Sequence, residues 1–139
     1  VIIKSEDGKL KTKKYLSNNK DKLLSSIQKL KMPVHHQGII YSSKLLKKYF
    51  YDETFKIRGD YENLLRLLVS KDDLLISSHN FAISVFFEGG VSNKKFIHNE
   101  SIKALKKNNS IKFISLLFFI YYLVRFFLKK LSSSDYKLF

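Results

Sequence analysis

A chain of 139 residues that is 45% hydrophobic and 14% aromatic can build one modest core, which excludes a wholly disordered protein. Its 26 basic and 12 acidic residues leave a formal charge of +14, but only Arg58, Arg66 and Arg125 are arginine. No helix-turn-helix, zinc-finger or aromatic RNA-binding motif accompanies the charge, so nucleic acid is set aside as a partner. The absence of cysteine excludes a disulfide framework, a thiolate metal site and a cysteine nucleophile.

In chain order, Val1-Ile2-Ile3 already reads as a strand, with no charged leader or cleavage site before it, and the chain is expected to begin within a longer protein. The pattern predicts a hairpin from 1–5 and 9–15 around a turn at Glu6-Asp7-Gly8, then a short helix over 21–30. From Met32 to about Glu100 strands and helices alternate: a strand over 38–41, helices over 43–49 and 60–69, strands over 74–77 and 82–87, and a helix over 95–107. This predicts a mixed α/β class. A breaker at Asn108-Asn109-Ser110 then leads into an intensely apolar stretch, 111–131.

The longest run without a charge in that stretch is only 12 residues, 113–124. They make about 18 Å of helix against a hydrocarbon core of about 30 Å. At about 100° per residue, Lys112, Ser115, Tyr122, Arg125, Lys129 and Lys130 fall within an arc of about 140°, shared with Phe119 and Phe126. The expectation is an amphipathic helix lying in a membrane interface, its lysines reaching for anionic headgroups. The chain accordingly divides into residues 1–107 and a helical, membrane-associated tail, 108–139.

Residues of catalytic type stand between the apolar runs. The helix over 60–69 buries Tyr61, Leu64, Leu65 and Leu68, and pairs Glu62 with Arg66 four residues on. Asp60 is placed at its N-terminus, where a carboxylate serves both as an N-cap and as a rigidly held base facing a cleft. His35 and His36 precede a predicted strand, whose alternation sends the two rings to opposite faces, and adjacent histidines make poor chelators. Gly89-Gly90-Val91-Ser92 ends an apolar strand; it reads as a plain turn or as a loop bordering a substrate.

Taken in order, His35-His36-Gln37-Gly38, Tyr51-Asp52-Glu53, Gly59-Asp60-Tyr61-Glu62 and Glu88-Gly89-Gly90-Val91-Ser92 resemble the C-terminal half of family 2 glycosyltransferases. The closest subgroup is the bacterial enzymes that build surface polysaccharides, and the likeness covers about residues 1–100. The resemblance implies the C-terminal part of a Rossmann-like GT-A domain, and inverting transfer of a sugar from a nucleotide-sugar donor to a glycan or lipid-linked acceptor hydroxyl. It makes Asp60 the general base and sets His36 and Gln37 near the donor. Glu62 and Arg66 would support the helix that aims Asp60, while Gly89, Gly90 and Ser92 would border the site.

The sequence departs from that family at Gly59, where Ala is usual, and at Tyr51, where Phe is usual. The resemblance also implies Mg²⁺ or Mn²⁺ on an Asp-x-Asp motif in an upstream half. Neither Glu6-Asp7 nor Asp72-Asp73 supplies that motif, which leaves no metal ligand in this chain except His36 as a candidate. With the tail helix, the implied location is the cytoplasmic face of the cell membrane, in cell-surface polysaccharide synthesis. The alternative, from another class, is a non-catalytic basic module that binds membranes or partners through 111–131. Arg58-Gly59-Asp60 spells an adhesion tripeptide, and Asn99-Glu100-Ser101 and Asn108-Asn109-Ser110 are glycosylation patterns; all three are short enough to recur by chance and are set aside.

Overall fold

The computed structural model describes residues 2–4, 10–12, 18–77, 85–87 and 97–134. Eight elements are named: strands β1 (Ile2–Lys4), β2 (Leu10–Thr12) and β3 (Val85–Phe87), and helices α1 (Lys20–Gln28), α2 (Ser43–Lys48), α3 (Gly59–Val69), α4 (His98–Lys107) and α5 (Phe113–Ser134). β1 lies between the other two strands, antiparallel to β2 with Ile3 opposite Lys11, and parallel to β3 with Ile3 opposite Phe86.

Helices build the described core. α1 and α4 both pack against α3, and α5 packs on α4. α3 is buried on nearly every side, including its polar residues Glu62 and Asn63. Ile27 of α1, Tyr61 and Leu65 of α3, and Ala104 and Leu105 of α4 are its fully enclosed contacts. A helix buried all round must pair most of its polar groups, and this one does so in part, since Glu62 Oε2 and Asn63 Oδ1 are buried without a hydrogen-bond partner. The Tyr61 hydroxyl donates to Ile27 O at 2.6 Å and the Asn63 side-chain amide donates to Tyr49 O at 2.7 Å.

The ends of the helices follow local chemistry. Asn19 caps α1 by accepting from Lys22 N at 2.9 Å, and Ser42 caps α2 by accepting from Leu45 N at 3.3 Å. α1 and α4 both close with paired backbone bonds across a left-handed residue: Leu30 N to Ile27 O and Lys31 N to Ser26 O in one, Asn109 N to Lys106 O and Ser110 N to Leu105 O in the other. Asparagine suits that conformation. Leucine does not, and Leu30, at φ 59, is kept there by a side chain that is 1% exposed.

The α/β expectation is therefore corrected, and with it the Rossmann-like GT-A architecture: the described body is helical, and its strands are three residues each. Over 38–41 the chain makes a 3-10 turn, His36–Gly38, followed by backbone without strand partners, and 74–77 has no regular structure. Of 82–87, Val85–Phe87 is a strand, and 82–84 lie outside the described residues. Apolar alternation makes a strand only where a ladder partner and a packing surface exist. Ile40 is 82% exposed and Leu75 99% exposed, so neither has a surface to pack on. The helices fall close to their expected positions, although the turn of the first hairpin and the Gly89-Gly90-Val91-Ser92 segment lie outside the described residues.

His98, at the start of α4, stacks on Tyr122 of α5 with ring centroids 4.1 Å apart and planes within 10°. Burial, and then the charge of Arg58, push its pKa from 6.5 down to about 4. The unfolded chain therefore takes up a proton between pH 6.5 and 4 that the folded chain refuses, and stability falls as pH drops through that window. The loss should be about 1–2 kcal/mol, since the ring is only half-buried and partly screened. Urea midpoints at pH 7 and pH 5 check it: His98→Gln should flatten the difference, and an unchanged pH dependence would exclude His98 as its source.

Candidate functional site at the start of the central helix

The segment leading into α3 carries no side-chain cap of the usual kind. Arg58 occupies the N-cap position, with helical residues beginning at Gly59. The expected N-cap role of Asp60 is corrected accordingly. Asp60 is the second residue of the helix, and its Oδ1 accepts from Tyr61 N at 2.8 Å. Glu100 takes over the capping chemistry from a distance. Its carboxylate, in the first turn of α4, accepts from the backbone N–H groups of Lys56 at 3.2 Å, Ile57 at 3.0 Å and Arg58 at 2.8 Å. One negative side chain thus satisfies the approach to α3 while sitting at the positive end of α4. Burial alone pushes the Glu100 pKa up, but the bonds from Ile57, Arg58 and Lys56 outweigh it and hold the carboxyl below its ordinary range.

Arg58 locks the same corner from the other side. Its guanidinium is buried, donates to Leu30 O at 3.3 Å and to Ser101 Oγ at 3.1 Å, and lies 4.5 Å from the centre of the Tyr61 ring. The adhesion-like tripeptide and one of the glycosylation-like patterns are thereby absorbed into the fold, because Arg58 and Ser101 are both buried.

Against this frame the Asp60 carboxylate is presented with a quarter of its side chain exposed. Its Oδ2 lies 3.5 Å from Nδ1 of His36, whose side chain is 47% exposed. The histidines do not separate onto opposite faces as strand alternation predicts. Their rings stack with centroids 4.8 Å apart, because His36 opens a 3-10 turn rather than a strand. Gln37 follows in that turn and is exposed.

Two tyrosines that sequence reasoning did not assign to a site feel the charge of Asp60. The Tyr41 phenol is pushed well above its ordinary pKa by burial first, then by Tyr51 and the Asp60 charge; Tyr51 is raised by burial and then by Asp60. Both phenols therefore remain protonated donors at neutral pH. No spacing rule reveals them, since they come from loops whose course only the packing sets.

Glu62 and Arg66 lie further along α3. Glu62 is 0% exposed, its Oε1 lies 3.2 Å from Arg66 Nε, and it accepts from the Asn108 amide at 3.4 Å. Arg66 also donates to Phe50 O. These residues tie the loop after α2 and the end of α4 to the central helix. Gly89, Gly90 and Ser92 lie outside the described residues.

A divalent ion finds no fitting ligand set among the described residues, where no three His, Asp or Glu side chains converge. His36 and Asp60 supply two, and no step is drawn through a metal.

Gly59 gives a direct check on this geometry. A Cβ there would stand 3.6 Å from Tyr51 Cδ1, an ordinary contact. Gly59→Ala should leave the thermal midpoint unchanged or raise stability by about 0.5 kcal/mol through helix propensity. A loss above about 1 kcal/mol would mean that Tyr51 sits closer to α3 than described.

Comparison of the chain with protein-family models, curated proteins and solved structures finds no match. The functional reading therefore rests on the residues themselves.

Proposed function

We propose that this chain supplies the acceptor-side residues of a glycosyltransferase, with Asp60 as the general base. The observation that carries the reading is the pairing of Asp60 Oδ2 with His36 Nδ1 at 3.5 Å, at a helix start where two protonated tyrosines feel the carboxylate's charge. The order of the motifs that resemble those of family 2 enzymes adds to it.

In this reading the acceptor hydroxyl lies against Asp60 Oδ2. As its oxygen forms the new bond to the anomeric carbon, the carboxylate takes the proton. The bond from that carbon to the nucleotide diphosphate breaks on the opposite side, so the configuration inverts. Tyr61 N–H fixes the other oxygen of Asp60, and His36 restrains the rotation of the carboxyl group. Tyr41 and Tyr51 offer hydroxyl donors and ring faces, the two kinds of contact a pyranose accepts. The donor and the acceptor would be a nucleotide-sugar and a glycan or lipid-linked hydroxyl.

The test is sugar transfer by the complete enzyme containing this chain, compared for wild type and Asp60→Asn. Loss of transfer with retained nucleotide-sugar binding supports the assignment. Transfer within a few-fold of wild type rejects it.

A further inference from the structure

α5 is built the wrong way round for a helix that only completes a core. Ser115 is fully buried and Phe118, Phe119 and Tyr122 are half-buried against the helical core, so the side of α5 carrying the small and polar positions faces inward. The side facing away is apolar. Phe113 is 75% exposed, Ile120 56% and Leu128 61%, and Leu117, Val124 and Phe127 are exposed with them.

At about 100° per residue these outward positions, with Leu116, Tyr121 and Ile114, fill a continuous arc of about 160° that contains no charge. Exposed cations stand at its two margins: Lys112 precedes the arc on one side and Arg125 adjoins it on the other, with Lys129 beyond. A row of this extent is far more than the scattered apolar residues of an ordinary surface.

We infer that this outward face of α5 docks in the plane of an anionic lipid surface, with the helical core held above it on the opposite side of the helix. Charge decides the occupant. A second copy would bring two chains of +14 together and set their Lys112, Arg125 and Lys129 side by side, whereas anionic headgroups neutralise those cations. The face is the convex side of a helix rather than a groove, which suits a lipid interface. Cations flanking an apolar arc can bury their stems and keep their charges at headgroup level. Among the described residues no helix is long and apolar enough to cross a membrane, so the helix lies along the surface. This docking stands independently of the sugar-transfer reading.

Ser115 and Tyr122, on the polar arc of α5, face protein, and the apolar arc is the side turned away from it.

The test is co-sedimentation of the 139-residue chain with phosphatidylcholine vesicles, with and without phosphatidylserine, at low and high salt. Wild type should bind the anionic vesicles and lose most of that binding at high salt. Ile120→Glu combined with Val124→Glu should lower partitioning at least tenfold, with helical content by circular dichroism retained. Arg125→Gln with Lys129→Gln should lower it about tenfold on anionic vesicles only. The chain has no tryptophan, so Ile120→Trp reports insertion directly. Its emission should shift to the blue on adding anionic vesicles, which keeps the test decisive if the glutamate variant misfolds. Equal binding by wild type and the glutamate variant, an unshifted Ile120→Trp spectrum, or a lipid-free dimer abolished by the glutamates would overturn the inference. Binding that survives alkaline carbonate would overturn the in-plane orientation.

Discussion

Asp60→Asn should lower the rate of sugar transfer on the order of 10²-fold or more while leaving the fold nearly as stable as wild type. The two effects separate because, in the proposed function, the carboxylate has two roles. Structurally, its Oδ1 accepts from Tyr61 N at 2.8 Å, and an amide oxygen can accept that bond equally well. Only the favourable charge at the start of α3 is lost, which costs less than about 1 kcal/mol. Chemically, an amide cannot take the proton of an attacking hydroxyl. His36→Ala should cost less, because the imidazole only orients the carboxylate at 3.5 Å, and His35→Ala should act mainly on stability. Turnover and unfolding midpoints of the three variants check this. A His36→Ala loss equal to that of Asp60→Asn would show that the imidazole does more than orient the carboxylate.

Arg58→Ala is expected to destabilise the protein by about 3 kcal/mol, a large share of the roughly 5–15 kcal/mol that holds a domain together. Three contributions combine. Leu30 O and Ser101 Oγ lose a buried charged donor, the Tyr61 ring loses the cation lying 4.5 Å from its centre, and the stem leaves a void beneath α3. The loss of the bond at Leu30 matters beyond its own strength, because that residue is already in a left-handed conformation unfavourable for leucine. Arg58→Met, which keeps most of the stem, should recover about 1 kcal/mol. Urea unfolding of the three proteins measures the series, and a loss under about 1 kcal/mol for Arg58→Ala would show that the lock contributes little.

The helices were legible because their signals are local. Tyr61, Leu64, Leu65 and Leu68 recur at helical spacing, Asn108-Asn109 stops the helix before them in the way its left-handed Asn109 requires, and the apolar run past Ile111 continues as one long helix. The strands were less legible. Ile39-Ile40-Tyr41 and Leu74-Leu75-Ile76 carry strand-like residues, but whether such residues pair depends on a ladder partner elsewhere in the chain, which neither finds.

The candidate site divides in the same way. Composition and spacing by themselves determined the helical elements and the basic charge with little arginine, while Asp60 and His36 were singled out as candidates by the resemblance to a family. Only the tertiary structure decided that Glu100 caps α3 from another helix, that Arg58 is a buried lock and not a surface motif, and that Tyr41 and Tyr51 feel the charge of Asp60. It also decided which face of α5 looks outward. The spacing of residues along a helix determines which side chains share a face, but the direction of that face is set by what it packs against, and Ser115 and Tyr122 found the core first.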